Sequence, residues 1–206
     1  MAQRRFRIHT NPMSFPIPIT REAWTKYFEE NGEGTNKPLY VDLGTGKGDF
    51  LIDIAKNNPE NNYLGLEVRI LQNLQVQEKI LKENTEGKKL TNCWSVQGNA
   101  TISIKNMFKD KEVSAYFIQF PDPWLKKKHV KRRMVKDNTV EEMYDTLKDD
   151  GVVYLITDVE EVFIDFCEHL KTKFKQIPYH DIDEKSHWEK WRELNNETIY
   201  RACFVK

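Results

Sequence analysis

Three glycines at alternate positions in VDLGTGKG, residues 41–48, constrain this chain more than any other feature. Val41 and Leu43 read as a buried strand, and Gly44, Gly46 and Gly48 let the backbone turn sharply and approach a ligand without Cβ clashes. A helical pattern over Asp49–Lys56 follows at once, so the turn ends on free helix N–H groups. The same alternation repeats along the chain. Apolar runs at Leu39–Leu43, Tyr63–Leu66, Cys93–Val96, Val113–Phe120 and Val152–Ile156 alternate with helical spacings over Asp49–Lys56, Ile70–Leu81, Ile102–Phe108, Val140–Leu147 and Val159–Phe174. Five such alternations predict an α/β fold, a mostly parallel sheet with helices on both faces. Ile199–Val205 adds a further strand, and the polar stretch Lys175–Trp191 is expected to be a loop. Residues 1–206 are expected to form one domain, with 1–37 as a partly mobile arm carrying a short helix near Glu22–Glu29.

The glycine turn narrows the cofactor. A dinucleotide fingerprint GxGxxG needs glycine at position 49, where this chain has Asp49. The spacing is GxGxG instead, and Asp42 sets a carboxylate beside the ligand, which suits a cationic amino-acid moiety better than a pyrophosphate. Both details favour S-adenosylmethionine; the bland alternative is a plain strand-to-helix turn. Glu67 stands about 20 residues beyond the glycines, where an acid bonds ribose hydroxyls in such folds. Asn99 offers an amide to an adenine edge, or serves as an ordinary helix cap.

FPDPWLKKKHVKRR, residues 120–133, is the most unusual segment. Pro121 and Pro123 restrict the backbone on either side of Asp122, holding this carboxylate in a stiff turn at the C-terminal end of a strand. Ligands bind at that edge in open α/β sheets. Trp124 offers a flat face for a base, or caps the core. Six cations among eight residues follow: Lys126, Lys127, Lys128, Lys131, Arg132 and Arg133, with His129 among them. Against 32 basic and 32 acidic residues overall, this run is a local phosphate-binding patch or a solvated basic face. Its position beside Asp122 favours a nucleic-acid substrate.

Composition sets the outer limits. No apolar run approaches the ~18 residues of a membrane span, and the N-terminus lacks the apolar core of a secretory signal. Cys93, Cys167 and Cys203 contain no CxxC pair, which argues against a disulfide framework or a zinc site, so no metal is expected and the cysteines read as reduced and buried. A cytoplasmic protein follows, with no membrane partner and no obligatory protein partner.

FPDPW followed by KKKHVKRR resembles the bacterial tRNA (guanine-N7)-methyltransferases, which modify the variable-loop guanine at tRNA position 46. The resemblance runs from about Leu39 onward. It implies a Rossmann-like class I methyltransferase fold with a reversed C-terminal strand, S-adenosylmethionine as cofactor and tRNA as partner. It further implies that Asp42, Glu67, Asn99 and Asp122 line the cofactor site, with Asp122 the active-site carboxylate. Lys126, Asp158 and the stretch Lys128–Arg133 match positions that meet the RNA, although Asp158 also reads as a helix cap. The family's C-terminal T-x-[YF]-E motif is absent as written; SHWE at 186–189 is similar to it and implies Ser186 and Glu189 as substrate contacts. Family members commonly have Glu where this chain has Asp42. The competing readings are methylation of an exocyclic amine, a nicotinamide-dependent oxidoreductase on the same glycine turn, and an RNA-binding protein without catalysis.

Overall fold

The computed structural model describes residues 11–85 and 90–206; the first ten residues of the expected arm lie outside the described residues. Helix α1 (Glu22–Glu30) precedes an alternating series: β1 (Leu39–Leu43), α2 (Asp49–Asn57), β2 (Asn62–Glu67), α3 (Ile70–Thr85), β3 (Cys93–Gln97), α4 (Ala100–Met107) and β4 (Val113–Gln119). A 3₁₀ segment over Lys127–Arg132 leads to α5 (Asp137–Thr146), β5 (Leu147–Thr157), α6 (Glu160–Leu170), β6 (Lys175–Ile177), α7 (His187–Leu194) and β7 (Tyr200–Val205).

The strands form one sheet of order β3-β2-β1-β4-β5-β7-β6. Strands β1 to β5 run parallel, and β7 pairs antiparallel with both β5 and β6. This is the expected class I architecture with its reversed C-terminal strand. Because the chain proceeds outward from β1 to β3 and then returns to β1's other side, the order reverses between β1 and β4. A crevice opens there, above the C-terminal strand ends.

Side-chain alternation assigns the two faces. Tyr116 and Ile118 of β4 join Val41, Leu43, Leu64 and Leu66 in a core covered by α1, α4, α5 and α6. Ala115 and Phe117 point the other way, toward Phe50, Leu51, Val76 and Ile80 of α2 and α3. Helix α1 is tied down through Trp24, 1% exposed, whose indole N–H donates to the Met107 carbonyl at 3.1 Å. The stretch Lys175–Trp191, expected as a loop, instead holds β6 and the start of α7. Its polar character reflects an edge strand with Lys175 and Gln176 exposed, and a helix whose start is set by the Ser186 cap. The three cysteines are free and buried, as read from the sequence. Among the described residues, no helix is long and apolar enough to cross a membrane.

Gly48 closes the turn with φ +74°, and a Cβ there would lie 2.6 Å from Cγ1 of Val76 on α3. Left-handed backbone and overpacking each cost an L-residue about 1–3 kcal/mol. Gly48→Ala is therefore expected to lower unfolding stability by about 3 kcal/mol in urea titrations; an unchanged midpoint would mean that the turn relaxes freely.

Candidate active site

Two cavities meet above the β1/β4 crevice. The larger, about 390 Å³, is lined by Asp42, the glycine turn, Arg69, Gln119, Asp122 and Trp188. The smaller is lined by Glu67, Gly98, Asn99, Asp122, Trp124 and Arg132. Gly44, Arg69, Gln119, Phe120 and Asp122 line both, so the four acidic and amide residues expected at the cofactor all border this one crevice.

Asp42 sits at the end of β1 and is 3% exposed. Thr45 Oγ1 donates to its Oδ2 at 2.7 Å, whereas Oδ1 is buried without a hydrogen bond. Burial pushes its pKa up to about 7, with the Thr45 bond opposing and the Glu67 charge adding. A carboxylate held this way gains most from an ionic donor such as an ammonium group. Glu67, at the end of β2, is engaged on both oxygens. Oε2 accepts from Gly46 N–H at 3.0 Å and Arg69 Nη2 at 3.1 Å, and Oε1 accepts from the Arg69 backbone N–H and Nε, each at 2.9 Å. The Arg69 side chain, 31% exposed, thus covers the carboxylate that the sequence assigned to a ribose diol. Asn99 makes the bonds of a helix cap: Oδ1 accepts from Thr101 N–H at 3.0 Å, and Nδ2 donates to the Pro12 carbonyl at 2.9 Å.

Asp122 stands on a turn whose ends are non-glycine residues with left-handed backbone, Phe120 at φ 46° and Trp124 at φ 42°. Such conformations cost about 1 kcal/mol or more each and persist where surrounding contacts over-determine them. Phe120 N–H donates to the Ile156 carbonyl at 2.7 Å, which locks the turn to β5.

Most of the basic run forms a rim. Lys126, Lys127, Lys128 and Lys131 are exposed. The Arg132 guanidinium lies 5.0 Å over Trp124, and the His129 ring meets the same indole edge-on at 5.7 Å. Desolvation and the neighbouring Arg132, Lys128 and Lys126 hold the His129 imidazole below its usual pKa.

Three expected RNA contacts face inward instead. Arg133 is 3% exposed and ion-pairs with Glu161 and Asp165 of α6. Asp158, with a side chain 4% exposed, pairs with Arg192 and accepts from Trp188 Nε1 at 3.2 Å. It is not the cap of α6; Val159 holds that position. Glu189 is 3% exposed and bonds Arg201 of β7 at 2.7 Å, while Ser186 caps α7 by accepting from Glu189 N–H. Each inward charge has found an opposite charge, which is what burial requires. Asp158 and Glu189 thereby hold α7, which brings Ser186 and Trp188 to the larger cavity.

Sequence reasoning missed Gln119. It is 8% exposed, lines both cavities, and neither its amide nitrogen nor its oxygen has a hydrogen-bond partner. A lone amide ending the buried strand VSAYFIQ was the available signal. Among the described residues, no group of His, Cys, Asp and Glu side chains is arranged to hold a metal.

Comparison with known proteins bears on the family and the fold. Residues 36–201 match the family described as "Putative methyltransferase". A tRNA (guanine-N(7)-)-methyltransferase of Synechococcus elongatus is 31% identical over 221 residues, spanning 100% of this chain and 98% of the relative. This chain belongs to that methyltransferase family. The similarly named enzyme of Microcystis aeruginosa is 31% identical across 99% of both proteins. Among solved structures, an aminoglycoside resistance methyltransferase superposes with a TM-score of 0.62 at 17% identity, covering 91% of this chain and 94% of its own. A 30S ribosomal A1408 methyltransferase from an uncultured bacterium gives 0.56 at 18% identity, covering 92% and 95%. Both matches bear on the fold.

An ammonium group held by the Asp42 carboxyl would bind in a pH-dependent way. With its pKa near 7, the carboxyl is neutral below that value and charged above it. Affinity for S-adenosylhomocysteine is therefore expected to rise with pH through about 7 and then level off, falling roughly tenfold about one unit below it. Calorimetry on Asp42→Asn should show a flat profile; a flat profile in the unaltered protein would remove Asp42 from the ammonium site.

Proposed function

We propose that this chain transfers the methyl group of S-adenosylmethionine to N7 of a guanine in tRNA, the variable-loop guanine by resemblance of its motifs. The observation that carries the reading is Asp122, held on a strained turn between a cofactor-sized cavity and a cationic rim. The buried, singly bonded Asp42 carboxylate and the glycine turn fit the cofactor's amino-acid end. Glu67 and Asn99 border the cavity that its adenosine would take. Bound S-adenosylmethionine supplies an electrophilic methyl on a positively charged sulfur.

Guanine N7 carries an in-plane lone pair and no proton, so no general base has to create the nucleophile. Positioning is the main task left to the protein. As the methyl moves, positive charge develops on the purine, and the Asp122 carboxylate stabilises that charge and holds the base in line. Lys126, Lys128 and Lys131 engage phosphates, which orient the RNA without reading its sequence. Three buried cysteines without a disulfide suit the reducing cytoplasm, where tRNA is processed.

A nicotinamide dinucleotide fits less well, because the buried Asp42 would face its pyrophosphate across the glycine turn. Methylation of an exocyclic amine would require a proton to be removed from that amine, and no such removal is needed at N7.

Transfer of labelled methyl to unmodified bulk tRNA, followed by mapping of the product nucleotide, tests the reading directly. N7-methylguanosine is expected, and label on an exocyclic amine, or no transfer, would overturn it. Asp122→Asn should lower kcat by about 100-fold with tRNA affinity nearly unchanged. Charge reversal at Lys126, Lys128 and Lys131 should weaken tRNA binding and flatten its salt dependence by roughly one unit per lost phosphate contact, leaving S-adenosylhomocysteine affinity intact.

A further inference from the structure

Arg133 closes the run of cations, yet it is the member of that run sealed from solvent, at 3% exposure. Its guanidinium is spent on three directions at once. Nε donates to the Pro123 carbonyl at 3.0 Å, Nη1 reaches Asp165 Oδ2 at 3.1 Å, and Nη2 bonds Glu161 Oε1. Pro123 is the residue after Asp122, so this side chain grips the Asp122 turn on one side and α6 on the other. The turn needs such a grip. Phe120 and Trp124 both hold left-handed backbone, and Pro121 and Pro123 remove two amide donors that would otherwise anchor the loop. The Phe120 bond to Ile156 ties the turn's first end to β5, while Arg133 ties its far end to α6.

We propose that Arg133 is a positioning residue for methyl transfer, clamping the Pro123 carbonyl to Glu161 and Asp165 so that the neighbouring Asp122 carboxylate keeps its place in the cleft. It acts through the turn and does not bind tRNA phosphates, unlike Lys126, Lys128 and Lys131 on the same run. Planar guanidinium geometry explains the residue type: a fork can serve a carbonyl and two carboxylates together, whereas an ammonium acts as a point charge. This proposal rests on the reading of Asp122 as the active-site carboxylate.

Arg133→Met, Arg133→Lys and the double variant Glu161→Gln/Asp165→Asn separate the clamp from a phosphate contact. Glu161 and Asp165 have side chains 59% and 27% exposed, and their amide replacements keep acceptor oxygens beside the guanidinium while leaving the buried Arg133 charge without a counter-charge. A displacement of about 1 Å at a reacting group costs on the order of 100-fold in rate. Arg133→Met is expected to lower kcat by about 10- to 100-fold, with tRNA Kd and its salt slope unchanged within about twofold. The double variant should also lose several-fold in kcat, even though it makes the surface more positive, and Arg133→Lys should recover part of the loss. Hydrogen exchange at the amides of Phe120, Asp122, Trp124 and Leu125 should quicken in Arg133→Met and in the double variant.

Weaker tRNA binding with a shallower salt slope and an unchanged kcat in Arg133→Met would overturn the clamp. So would a double variant that matches the unaltered protein in both kcat and exchange. Melting curves and S-adenosylhomocysteine binding identify a variant that has lost its fold, and the double variant then decides. Failure of the unaltered protein to methylate tRNA would sink the functional reading instead, while the exchange measurement still tests the clamp.

Discussion

Leu43 of β1 stands in parallel register with Ile118 of β4, and the glycine turn and the Asp122 turn leave those two strands at the same edge. Every charged group in the cleft depends on this pairing. Parallel strands cannot be joined by a tight hairpin, so β1 and β4 are brought together through two intervening strand-helix units. Those units deliver Glu67 and Asn99 to the same edge on the way. Backbone pairing at the centre of the sheet thus assembles a site from four stretches of sequence that are far apart along the chain.

The electrostatics are layered around that edge. Asp42 and Glu67 are buried at the floor, Asp122 stands half-buried at the mouth, and lysines ring the outside. A neutral protein can hold such a gradient because other arginines are consumed internally. Arg192 stacks 4.9 Å from Trp188 and 5.1 Å from Trp191 while pairing with Asp158, and Arg201 holds Glu189. Burial keeps the Glu189 carboxyl above its usual pKa despite the opposing arginine, a measure of how far α7 is drawn onto the sheet. These pairs act as struts between elements, which is a use of charge distinct from attracting a ligand.

Much of this was legible in the sequence because the governing patterns are local. Glycine spacing and strand-helix alternation specify the turn and the sheet, and two prolines flanking an aspartate specify a stiff carboxylate. The direction of each charge was not legible. Arg132 and Arg133 are adjacent and chemically alike, yet one lies over Trp124 and the other is buried against α6, because the acids that claim Arg133 lie in a different helix. Asp158 and Glu189 escaped for the same reason: their partners, Arg192 and Arg201, are fixed only after α7 and β7 have docked. Polar β6 and α7 read as a loop because the first is a short edge strand and the second is polar on average, with a glutamate, Glu189, as its buried residue.

Strand β7 supplies Arg201, and Arg201 holds the helix that brings Ser186 and Trp188 to the larger cavity. Tyr200–Val205 follows every residue lining the cleft in chain order. During synthesis, the glycine turn, the acidic floor and the basic rim all emerge before the strand that secures the cavity's remaining wall. The wall that carries Ser186 and Trp188 is thus secured by β7, which lies antiparallel between β5 and β6 and is the strand of the sheet made last.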